Sequence, residues 1–408
     1  MELTQEQKFA FDAVTVGHSI CISGAAGSGK SFLLKEIISY AHANEKQIGV
    51  TSTTGASAIL IGGRTLHSFL GFGLATKSAE LLAIEAKNKR KKLVTKLRKL
   101  HILVIDEVSM LNDELFTKID EYLRVLRRNE KHFGGVQLVL SGDFCQIPPV
   151  KGDFCFKSST WQEMDIKKFV FGTLIRQKGD PQFQQILESL RWGECTPEIL
   201  RILKSTSKHT FAEGIEPTIL YSKNVDVDFV NNKKYTELLA SGTPTQTYKT
   251  RYSDPVAAKA WGDSCKIPEA VEIAVGAQVM VTHNIDVDNG ITNGTRGVVT
   301  NITSLGPIVK FVAGYKKLVE MFKTESEDDE GLYVTSMPLK LAYAITCHKS
   351  QGQTLDCVRM DLGSSIFEYG MAYTSLSRGK SLKSICVVDV IPGSFRTHPD
   401  VLEFYGRK

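Results

Sequence analysis

Eight consecutive residues near the N terminus have the types and the spacing of a phosphate-binding loop. The segment Gly24-Ala25-Ala26-Gly27-Ser28-Gly29-Lys30-Ser31 fits the pattern G-x-x-x-x-G-K-[ST] at every position. In such a loop the glycines let backbone N–H groups curl around phosphate oxygens, the lysine neutralises the β- and γ-phosphates, and the last hydroxyl ligates Mg²⁺. The residues predicted to hold a magnesium–nucleotide are Gly24, Gly27, Gly29, Lys30 and Ser31.

A second segment supplies two adjacent carboxylates. Leu103-Val104-Ile105-Asp106-Glu107 is an apolar run that ends in an aspartate and a glutamate. At the end of a buried strand, Asp106 would ligate Mg²⁺ while Glu107 activates an attacking water. The alternative is that either carboxylate only caps the following helix by accepting backbone N–H bonds. With a complete phosphate loop upstream, the pair predicts a nucleotide hydrolase but does not indicate how the energy is used.

Short apolar runs alternate with amphipathic segments over the first 170 residues, and this order positions both motifs. The predicted strands are Ser19–Ser23, Ile48–Ser52, Ile102–Ile105 and Val136–Ser141. The predicted helices include Phe32–Ala43 and Asp113–Arg127. Such alternation is typical of βαβ units with a parallel sheet. The phosphate loop follows the first strand, and the two carboxylates follow the third.

A second α/β region starts near Phe169, and a stretch rich in short strands interrupts it. The predicted α/β strands are Thr218–Tyr221, Val358–Leu362 and Ile385–Val390. From about residue 271 to 337 the predicted strands are Val275–Val281, Gly297–Ile302 and Ile308–Val312. Asn289-Gly290 and Asn293-Gly294 offer hairpin turns there, and the acidic run Glu325–Glu330 reads as a solvated loop. The pattern indicates a small β domain inserted into the second α/β region.

The bulk composition excludes several classes of protein. Among the 408 residues, 42% are hydrophobic and 23% are charged, and the net charge of +5 is compatible with phosphate binding without requiring it. None of the eight cysteines forms a C-x-x-C pair. No apolar run approaches the ~18 residues of a membrane span, and no targeting segment precedes the first motif. We therefore expect a soluble, intracellular protein with reduced cysteines and no membrane partner.

One basic stretch allows two interpretations. Residues 78–99 read as a charged helix, and its cations are Lys87, Lys89, Arg90, Lys91, Lys92, Lys96, Arg98 and Lys99. The simpler interpretation is a solvated helix face. The alternative is a patch that contacts DNA.

Several longer segments resemble one family of motor proteins. They are Phe133-Gly134-Gly135-Val136-Gln137-Leu138, Val139 to Val150 (VLSGDFCQIPPV), Val275 to Met280 (VGAQVM), Ala344 to Thr354 (AITCHKSQGQT), Gly370 to Arg378 (GMAYTSLSR) and His398 to Tyr405 (HPDVLEFY). Together and in this order they resemble the petite-integration-frequency (Pif-type) DNA helicases of superfamily one. The sequence departs from the family at Thr374-Ser375 and Gly379, and it begins directly at its first motif, whereas eukaryotic members carry long N-terminal extensions. Arg378 is retained.

The resemblance implies an α/β fold with two RecA-like parallel-sheet domains of the phosphate-loop NTPase type. Residues 1–170 would form the first domain, with a small strand-separating element within about 71–99. Residues 171–270 and 338–408 would form the second domain. Residues 271–337 would form an inserted SH3-like β-barrel.

The resemblance also assigns further residues to the nucleotide site. Gln146 would sense the γ-phosphate, and Arg176 and Arg378 would reach it from the second domain. Gly352 would also contact the nucleotide. Gln7 would recognise adenine, and the alternative is that Thr4-x-x-Gln7 forms a helix capping box.

The DNA-binding residues implied by the resemblance lie on both domains. They are Thr53, Thr54, His67 and Phe69 in the first domain and Thr346, His348 and Lys349 in the second. Hydroxyls and backbone amides can hold phosphates, while His67 and Phe69 could stack on bases. The alternatives are a core aromatic at Phe69 and a helix-end histidine at His67.

The function implied by the resemblance is ATP-dependent unwinding of DNA. The motor would bind ATP and Mg²⁺, move 5′→3′ on single-stranded DNA, and open tailed or forked duplexes, acting as a monomer. One alternative is a nucleotide-gated DNA-binding ATPase without unwinding activity. A small-molecule kinase would leave the segments around Gln146, Thr346 and Arg378 unexplained.

Overall fold

The structure is a computed structural model, and its two compact units are described separately. It describes residues 3–73, 75–172, 179–209, 216–222, 224–264, 267–283, 285–286, 289, 291, 294–311, 314–325, 331–355 and 357–407. Unit 1 comprises residues 1–204, 362–382 and 390–408, and unit 2 comprises residues 205–361 and 383–389.

A six-stranded parallel sheet forms the centre of unit 1. Its strands are β1 (Ile20–Gly24), β2 (Ile48–Ser52), β3 (Arg64–Thr65), β4 (Ile102–Asp106), β5 (Gln137–Gly142) and β6 (Lys167–Phe171). Their order is β3-β2-β4-β5-β1-β6, and every neighbouring pair is parallel. All residues of β1 and β4 are buried, as expected when helices cover both faces of a parallel sheet. The predicted parallel α/β unit is therefore confirmed.

Ten α-helices accompany this sheet in the described part of residues 3–205. They are α1 (Gln5–Thr15), α2 (Lys30–Ala43), α3 (Gly55–Leu60), α4 (Leu66–Leu70), α5 (Ala79–Lys89), α6 (Lys91–Lys99), α7 (Asp113–Arg127), α8 (Ser159–Glu163), α9 (Pro181–Arg191) and α10 (Pro197–Ser205). The predicted helix 78–99 is two helices, because the backbone leaves the helical region at Arg90 with φ −132°. Neither these helices nor the others that the structure describes are long and apolar enough to cross a membrane.

The remaining elements follow in chain order. The strands are β7 (Thr218–Tyr221), β8 (Thr245–Lys249), β9 (Arg251–Tyr252), β10 (Ala270–Ala274), β11 (Gln278–Val281), β12 (Arg296–Ile302), β13 (Pro307–Phe311), β14 (Lys316–Leu318), β15 (Phe322–Glu325), β16 (Tyr333–Ser336), β17 (Leu339–Leu341), β18 (Ala344–Thr346), β19 (Val358–Leu362) and β20 (Ile385–Val390). The helices are α11 (Asn224–Ala240), α12 (Ala257–Ser264), α13 (Cys347–Ser350), α14 (Met371–Leu376) and α15 (Pro399–Phe404). The last two helices belong to unit 1.

Unit 2 contains the second parallel arrangement. Its sheet has the order β18-β7-β19-β20, and β7 pairs in parallel with both β18 and β19. The predicted strands Thr218–Tyr221, Val358–Leu362 and Ile385–Val390 are found with the same ends.

The inserted β region of unit 2 is built around a five-stranded antiparallel sheet of order β14-β13-β12-β11-β17. Val279, Val299 and Phe311 contribute to its buried core. The predicted strand Val275–Val281 is wrong at its start, because Gly276 turns the chain with φ +85° and the strand begins at Gln278. Within the described residues β14 and β17 end the ladder, so the SH3-like barrel stays a prediction. Gly290, Asn293 and the acidic run after Glu325 lie outside the described residues, so the two hairpin turns and the acidic loop stay predictions.

The predicted domain boundaries differ from the compact units. A second α/β region does not start near Phe169, because β6 pairs with β1 along its whole length, from Ile20 opposite Lys167 to Gly24 opposite Phe171. Residues 362–382 and 390–408 also join unit 1 rather than the second domain. Strands β8, β9 and β17 extend the antiparallel sheets beyond the predicted limits of 271 and 337.

Candidate functional site

The phosphate-binding loop lies where the sequence predicted it, between β1 and α2. Gly27 and Gly29 adopt φ values of +91° and +86°, which favour glycine. A Cβ on Gly24 would lie 2.7 Å from the carbonyl oxygen of Phe171, so a side chain there would collide with β6. Backbone N–H groups at the start of α2 and the loop therefore form a surface suited to phosphate oxygens.

Lys30 is held by its own loop and faces three carboxylates. Its Nζ donates to the carbonyl oxygens of Gly24 at 2.7 Å and Ala25 at 3.1 Å. Burial lowers the pKa of the ammonium, while the nearby carboxylates of Asp143, Glu107 and Asp106 oppose that shift. The loop lysine and the predicted carboxylates are therefore brought together within unit 1.

Asp106 and Glu107 occupy different environments at the end of β4. Asp106 is 5% exposed, and its Oδ2 accepts a 2.5 Å hydrogen bond from the hydroxyl of Ser57. Glu107 adopts a left-handed backbone conformation with φ +54° and ψ +44°, which is uncommon for a residue with a Cβ. Its side chain makes no capping bond to the short helix that follows within the described residues. The helix-capping alternative is therefore not supported for Glu107.

Arg378 lies beside Gln146 in unit 1. Its Nη2 donates to Gln146 Oε1 at 3.4 Å, and its Nε donates to the carbonyl of Thr374 at 2.9 Å. Arg378 is 1% exposed. The sequence placed Arg378 on the second domain, whereas the structure groups it with the phosphate loop. Arg176 lies outside the described residues.

A buried network around Asp143 was not predicted from the sequence. Arg191 donates to Asp143 Oδ1 through Nε at 3.2 Å and Nη2 at 3.0 Å. The hydroxyl of Tyr373 donates to Asp143 Oδ2 at 3.1 Å and accepts a long 3.4 Å bond from the N–H of Ala26 in the phosphate loop. Burial and the Asp143 carboxylate raise the pKa of Tyr373, so its hydroxyl stays protonated and remains a donor. This network ties α9 and α14 to the phosphate loop.

The end of α15 and the following Tyr405 contact the region of β1 that leads into the phosphate loop. The hydroxyls of Tyr405 and Ser23 share a hydrogen bond one residue before the loop. The neighbouring Phe404 ring lies 4.5 Å from the Phe156 ring and 4.9 Å from the Phe144 ring, centroid to centroid. In the sequence the tail segment His398 to Tyr405 was identified only through family resemblance. Its packing against β1 had no local signal.

Gln7 forms the capping box that the sequence offered as an alternative. Its backbone N–H donates to the Thr4 hydroxyl, and its Oε1 accepts the Thr4 N–H at 2.9 Å. Its Nε2 also donates to the carbonyl of Gly29 at 3.3 Å, so the side chain touches the phosphate loop. The capping box is confirmed, and adenine recognition stays a prediction. Gly352 is placed in unit 2 with φ +79°, and its nucleotide contact also stays a prediction.

Thr53 connects a predicted DNA segment to the backbone of the two residues that carry the predicted catalytic carboxylates. The hydroxyl of Thr53 donates to the carbonyl of Glu107 at 2.8 Å, and its N–H donates to the carbonyl of Asp106. The Thr54 hydroxyl accepts the N–H of Ser57 at 3.2 Å. Both threonines are partly exposed, so they can meet a ligand from this position.

The structure separates the two predicted stacking residues in α4. Phe69 is 3% exposed, and its ring fills the space beside Gly49, where a Cβ would lie 2.4 Å from Cζ. The expectation that Phe69 stacks on a base is therefore wrong for this conformation, and the core-aromatic alternative holds. His67 is half-buried, and burial lowers the pKa of its imidazole. Its stacking role stays a prediction.

The predicted DNA residues of unit 2 lie at α13. Thr346 is 3% exposed and caps the helix, because its hydroxyl accepts the Lys349 N–H at 3.2 Å. His348 is half-buried, and Lys349 is exposed. Thr346 would therefore act by positioning the turn, and Lys349 offers an accessible charge.

Among the site residues that were not predicted, Arg191 has a sequence pattern that could have identified it. Arg191 falls on the buried face of α9 with Phe183, Ile186, Leu187 and Leu190. A charged residue on an apolar stripe predicts a buried ionic partner. No comparable signal identified Tyr373, Tyr405 or Ser57.

Comparison with known proteins gives consistent matches. Residues 2–198 match a family model described as PIF1-like helicase, and residues 267–302 match one described as the 2B domain of DNA helicase Pif1. The ATP-dependent DNA helicase PIF1 of Xenopus laevis is 35% identical over 99% of this chain, which spans 64% of that relative. The ATP-dependent DNA helicase Pif1 of Bdellovibrio bacteriovorus is 32% identical, with 99% of this chain and 92% of the relative aligned.

Two solved structures resemble the chain over almost its whole length. The crystal structure of Pif1 helicase from Candida albicans has a TM-score of 0.85 and 35% identity, and the match covers 99% of each chain. The Pif1 helicase from Bacteroides in complex with ADP-AlF3 and single-stranded DNA has a TM-score of 0.72 and 27% identity. That match covers 99% of this chain and 96% of the other.

Proposed function

Because this chain belongs to the PIF1-like helicase family, we propose that it is an ATP-dependent DNA helicase. In this proposal it moves 5′→3′ along single-stranded DNA, unwinds tailed or forked duplexes, and acts as a monomeric motor. The names of the relatives support the activity, and the motif resemblance supports the direction.

The observation that carries the proposal is the contact between Arg378 and Gln146 in the unit that holds the phosphate loop. An arginine beside Gln146, which is proposed to sense the γ-phosphate, can stabilise the charge that develops during phosphoryl transfer. Lys30 lies among Asp106, Glu107 and Asp143 in the same unit. A simple nucleotide-binding protein would need the lysine but not this arginine. Arg176 is proposed as a second arginine of the same kind.

The donor atoms at the site fit ATP with Mg²⁺. Asp106 and Ser31 supply hard oxygen ligands of the kind Mg²⁺ prefers. The Ser57 hydroxyl fixes Asp106 through Oδ2, and Oδ1 makes no hydrogen bond to the other residues that the structure describes. When bound, the magnesium–nucleotide would supply the phosphoanhydride whose hydrolysis releases energy. Glu107 would take the proton of the attacking water, while Gly24, Gly27, Gly29 and Lys30 hold the phosphates.

DNA binding and hydrolysis would be linked through Thr53. A DNA strand bound at Thr53, Thr54 and His67 would contact the Thr53 hydroxyl, which donates a hydrogen bond to the backbone carbonyl of Glu107. Because Glu107 sits in a left-handed conformation, a small shift there would re-aim its carboxylate. Thr346, His348 and Lys349 would grip the strand from unit 2, and alternate gripping would convert turnover into steps.

The decisive experiment compares duplexes that carry a matched 5′ or 3′ single-stranded tail. We expect ATP-dependent displacement only with the 5′ tail, together with stimulation of ATP hydrolysis by an oligonucleotide. Lys30→Ala is the matched control, because it should still bind single-stranded DNA but lose the stimulated hydrolysis. Displacement by Lys30→Ala at the wild-type rate would contradict the role of the phosphate loop.

The same experiment tests the alternative function. Hydrolysis that DNA stimulates without displacement of either duplex would indicate a nucleotide-gated DNA-binding ATPase. Hydrolysis that is indifferent to DNA would favour a different phosphoryl-transfer enzyme.

A further inference from the structure

The segment from the end of α5 through α6 is strongly basic. Residues 87–99 contain eight lysines and arginines, and residues 86–105 contain no aspartate or glutamate. The buried residues of α6 are Leu93, Val94 and Leu97, which attach the helix to unit 1. The opposite face of α6 exposes Lys91, Lys92, Lys96 and Lys99. We call this face, with Lys89, the basic face.

Two arginines near the end of α6 have structural roles. Arg127 of α7 donates through Nη1 to the carbonyls of Leu97 at 2.7 Å and Arg98 at 2.8 Å. Arg98 in turn donates through Nε to the carbonyl of Leu126 at 2.9 Å. Each arginine thus satisfies the last carbonyls of the other helix, where a positive charge also suits the helix dipole.

The lysines at the start of α6 have no such explanation. Lys91 and Lys92 occupy the first turn, where the helix dipole favours carboxylates and disfavours cations. The N-cap residue Arg90 makes no side-chain capping bond; it donates instead to the carbonyl of Gly71 at 2.8 Å. Positive charges are therefore concentrated at the N terminus of α6, where the helix dipole makes them least favourable. An arrangement that opposes local stability is typical of a functional surface.

Part of the basic face has no direct ion-pair partner among the described residues. In the regions that the structure describes, Lys89, Lys91 and Lys99 make no hydrogen bond or ion pair through their ammonium groups. Of the carboxylates on adjacent helices, Glu85 is paired with Lys77 and also interacts electrostatically with Lys89, and Asp120 is paired with Arg124. The field of these lysines is directed to solvent.

We propose that the basic face binds phosphates of the duplex arm of a forked DNA. The inference rests on the proposed helicase function and adds a second DNA surface to the segments that hold the single strand. Lys91, Lys92, Lys96 and Lys99 lie on α6, which spans about 12 Å from Lys91 to Lys99 at roughly 1.5 Å per residue, and Lys89 ends α5 just before it. The exposed positions of α6 include no aromatic residue. Surfaces for single strands rely on aromatic stacking, whereas non-specific duplex binding relies on lysine and arginine contacts to phosphates.

The test measures affinity against salt concentration for a blunt duplex and for an oligo-dT strand. The variant is K89Q/K91Q/K99Q, because glutamine keeps helix propensity and removes only charge. On B-form DNA the slope of log K against log salt falls by about 0.9 for each phosphate that the protein no longer neutralises, so we expect the duplex slope to fall by about 2 to 3. The oligo-dT slope and the ATP hydrolysis that oligo-dT stimulates should not change.

The matched control is K35Q/K204Q/K208Q, which removes the same charge from three exposed lysines elsewhere. It should leave the duplex slope at the wild-type value. The inference is overturned if the duplex slope of K89Q/K91Q/K99Q equals that of the wild type, or if the oligo-dT slope falls by the same amount. In either case, binding of the wild-type protein to oligo-dT still supports the helicase proposal. Absence of wild-type binding to oligo-dT overturns the helicase proposal and this inference with it.

Discussion

The buried pair of Asp143 and Arg191 should be a major support of unit 1. Asp143 is 0% exposed and Arg191 is 3% exposed, so each charge depends on the other. Burial alone would lower the pKa of Arg191, but the Asp143 carboxylate raises it well above its ordinary value. Asp143→Ala would leave a guanidinium buried without a counter-charge. Removing one partner of such a pair costs about 3–5 kcal/mol, and we expect the free energy of unfolding to fall by that amount.

Thermal unfolding followed by tryptophan fluorescence can measure this change. The Trp192 ring centroid lies 4.5 Å from Arg191 Cζ, so its emission reports on the same region. For a unit of this size each kcal/mol shifts the midpoint by about 2–4 °C, which predicts a decrease of about 6–20 °C.

A paired replacement separates loss of charge pairing from loss of packing. Asp143→Leu with Arg191→Met removes both charges, and such replacements are often neutral. Tyr373 and the Cys145 N–H would still lose their acceptor, so we expect the double variant to recover about 2 kcal/mol relative to Asp143→Ala rather than all of the loss. The reasoning fails if Asp143→Ala unfolds within about 1 kcal/mol of the wild type, or if the double variant is no more stable than the single one.

Three further predictions concern neighbouring features. Arg378→Ala should reduce kcat for ATP hydrolysis about 10³-fold or more with little change in ATP affinity, measured by steady-state kinetics and nucleotide titration; weakened binding with normal turnover would contradict this. Phe144→Ala should lower the free energy of unfolding by about 3–5 kcal/mol and Phe144→Leu by less than about 1.5 kcal/mol, measured in urea, because the ring is fully buried. Burial lowers the pKa of His67 below its ordinary 6.5, so the unfolded chain binds a proton first and stability should fall as the pH drops below 6.5. The decrease in the thermal unfolding midpoint between pH 7.5 and pH 5.5 should be smaller in His67→Gln than in the wild type. An equal decrease in both proteins would refute this role of His67.

Local features of the fold could be predicted well from the sequence. The predicted ends of β2, β7, β19, β20 and α7 agree with the structure. Neighbouring residues carry both the apolar run of β4 and the alternation of exposed Arg359 and Asp361 with buried residues in β19. The phosphate loop and the two carboxylates follow from such strands for the same reason.

Features that depend on distant partners could not be predicted. Phe69 is in the core because Gly49, on a neighbouring strand, leaves room for its ring. The strand β6 belongs to the first sheet because it pairs with the edge of β1 that β5 leaves open. That edge exists only after β1 and β5, which are distant in the sequence, have paired. Val275 continues an apolar pattern, yet Gly276 turns the chain there. The pairing of Arg191 with Asp143 joins a helix to a loop 48 positions earlier, beyond the range of any periodic pattern.

The composition of unit 1 has a consequence for protein synthesis. A ribosome makes residues 205–361 after the six strands of the first sheet and before α14 and α15. Until α15 emerges, the rings of Phe144 and Phe156 are without the Phe404 that packs on them, and Ser23 is without Tyr405. The packing beside the phosphate loop is therefore completed only late in translation. A truncation or fusion at residues 399–405 should disturb ATP binding although it lies far from the phosphate loop in the sequence.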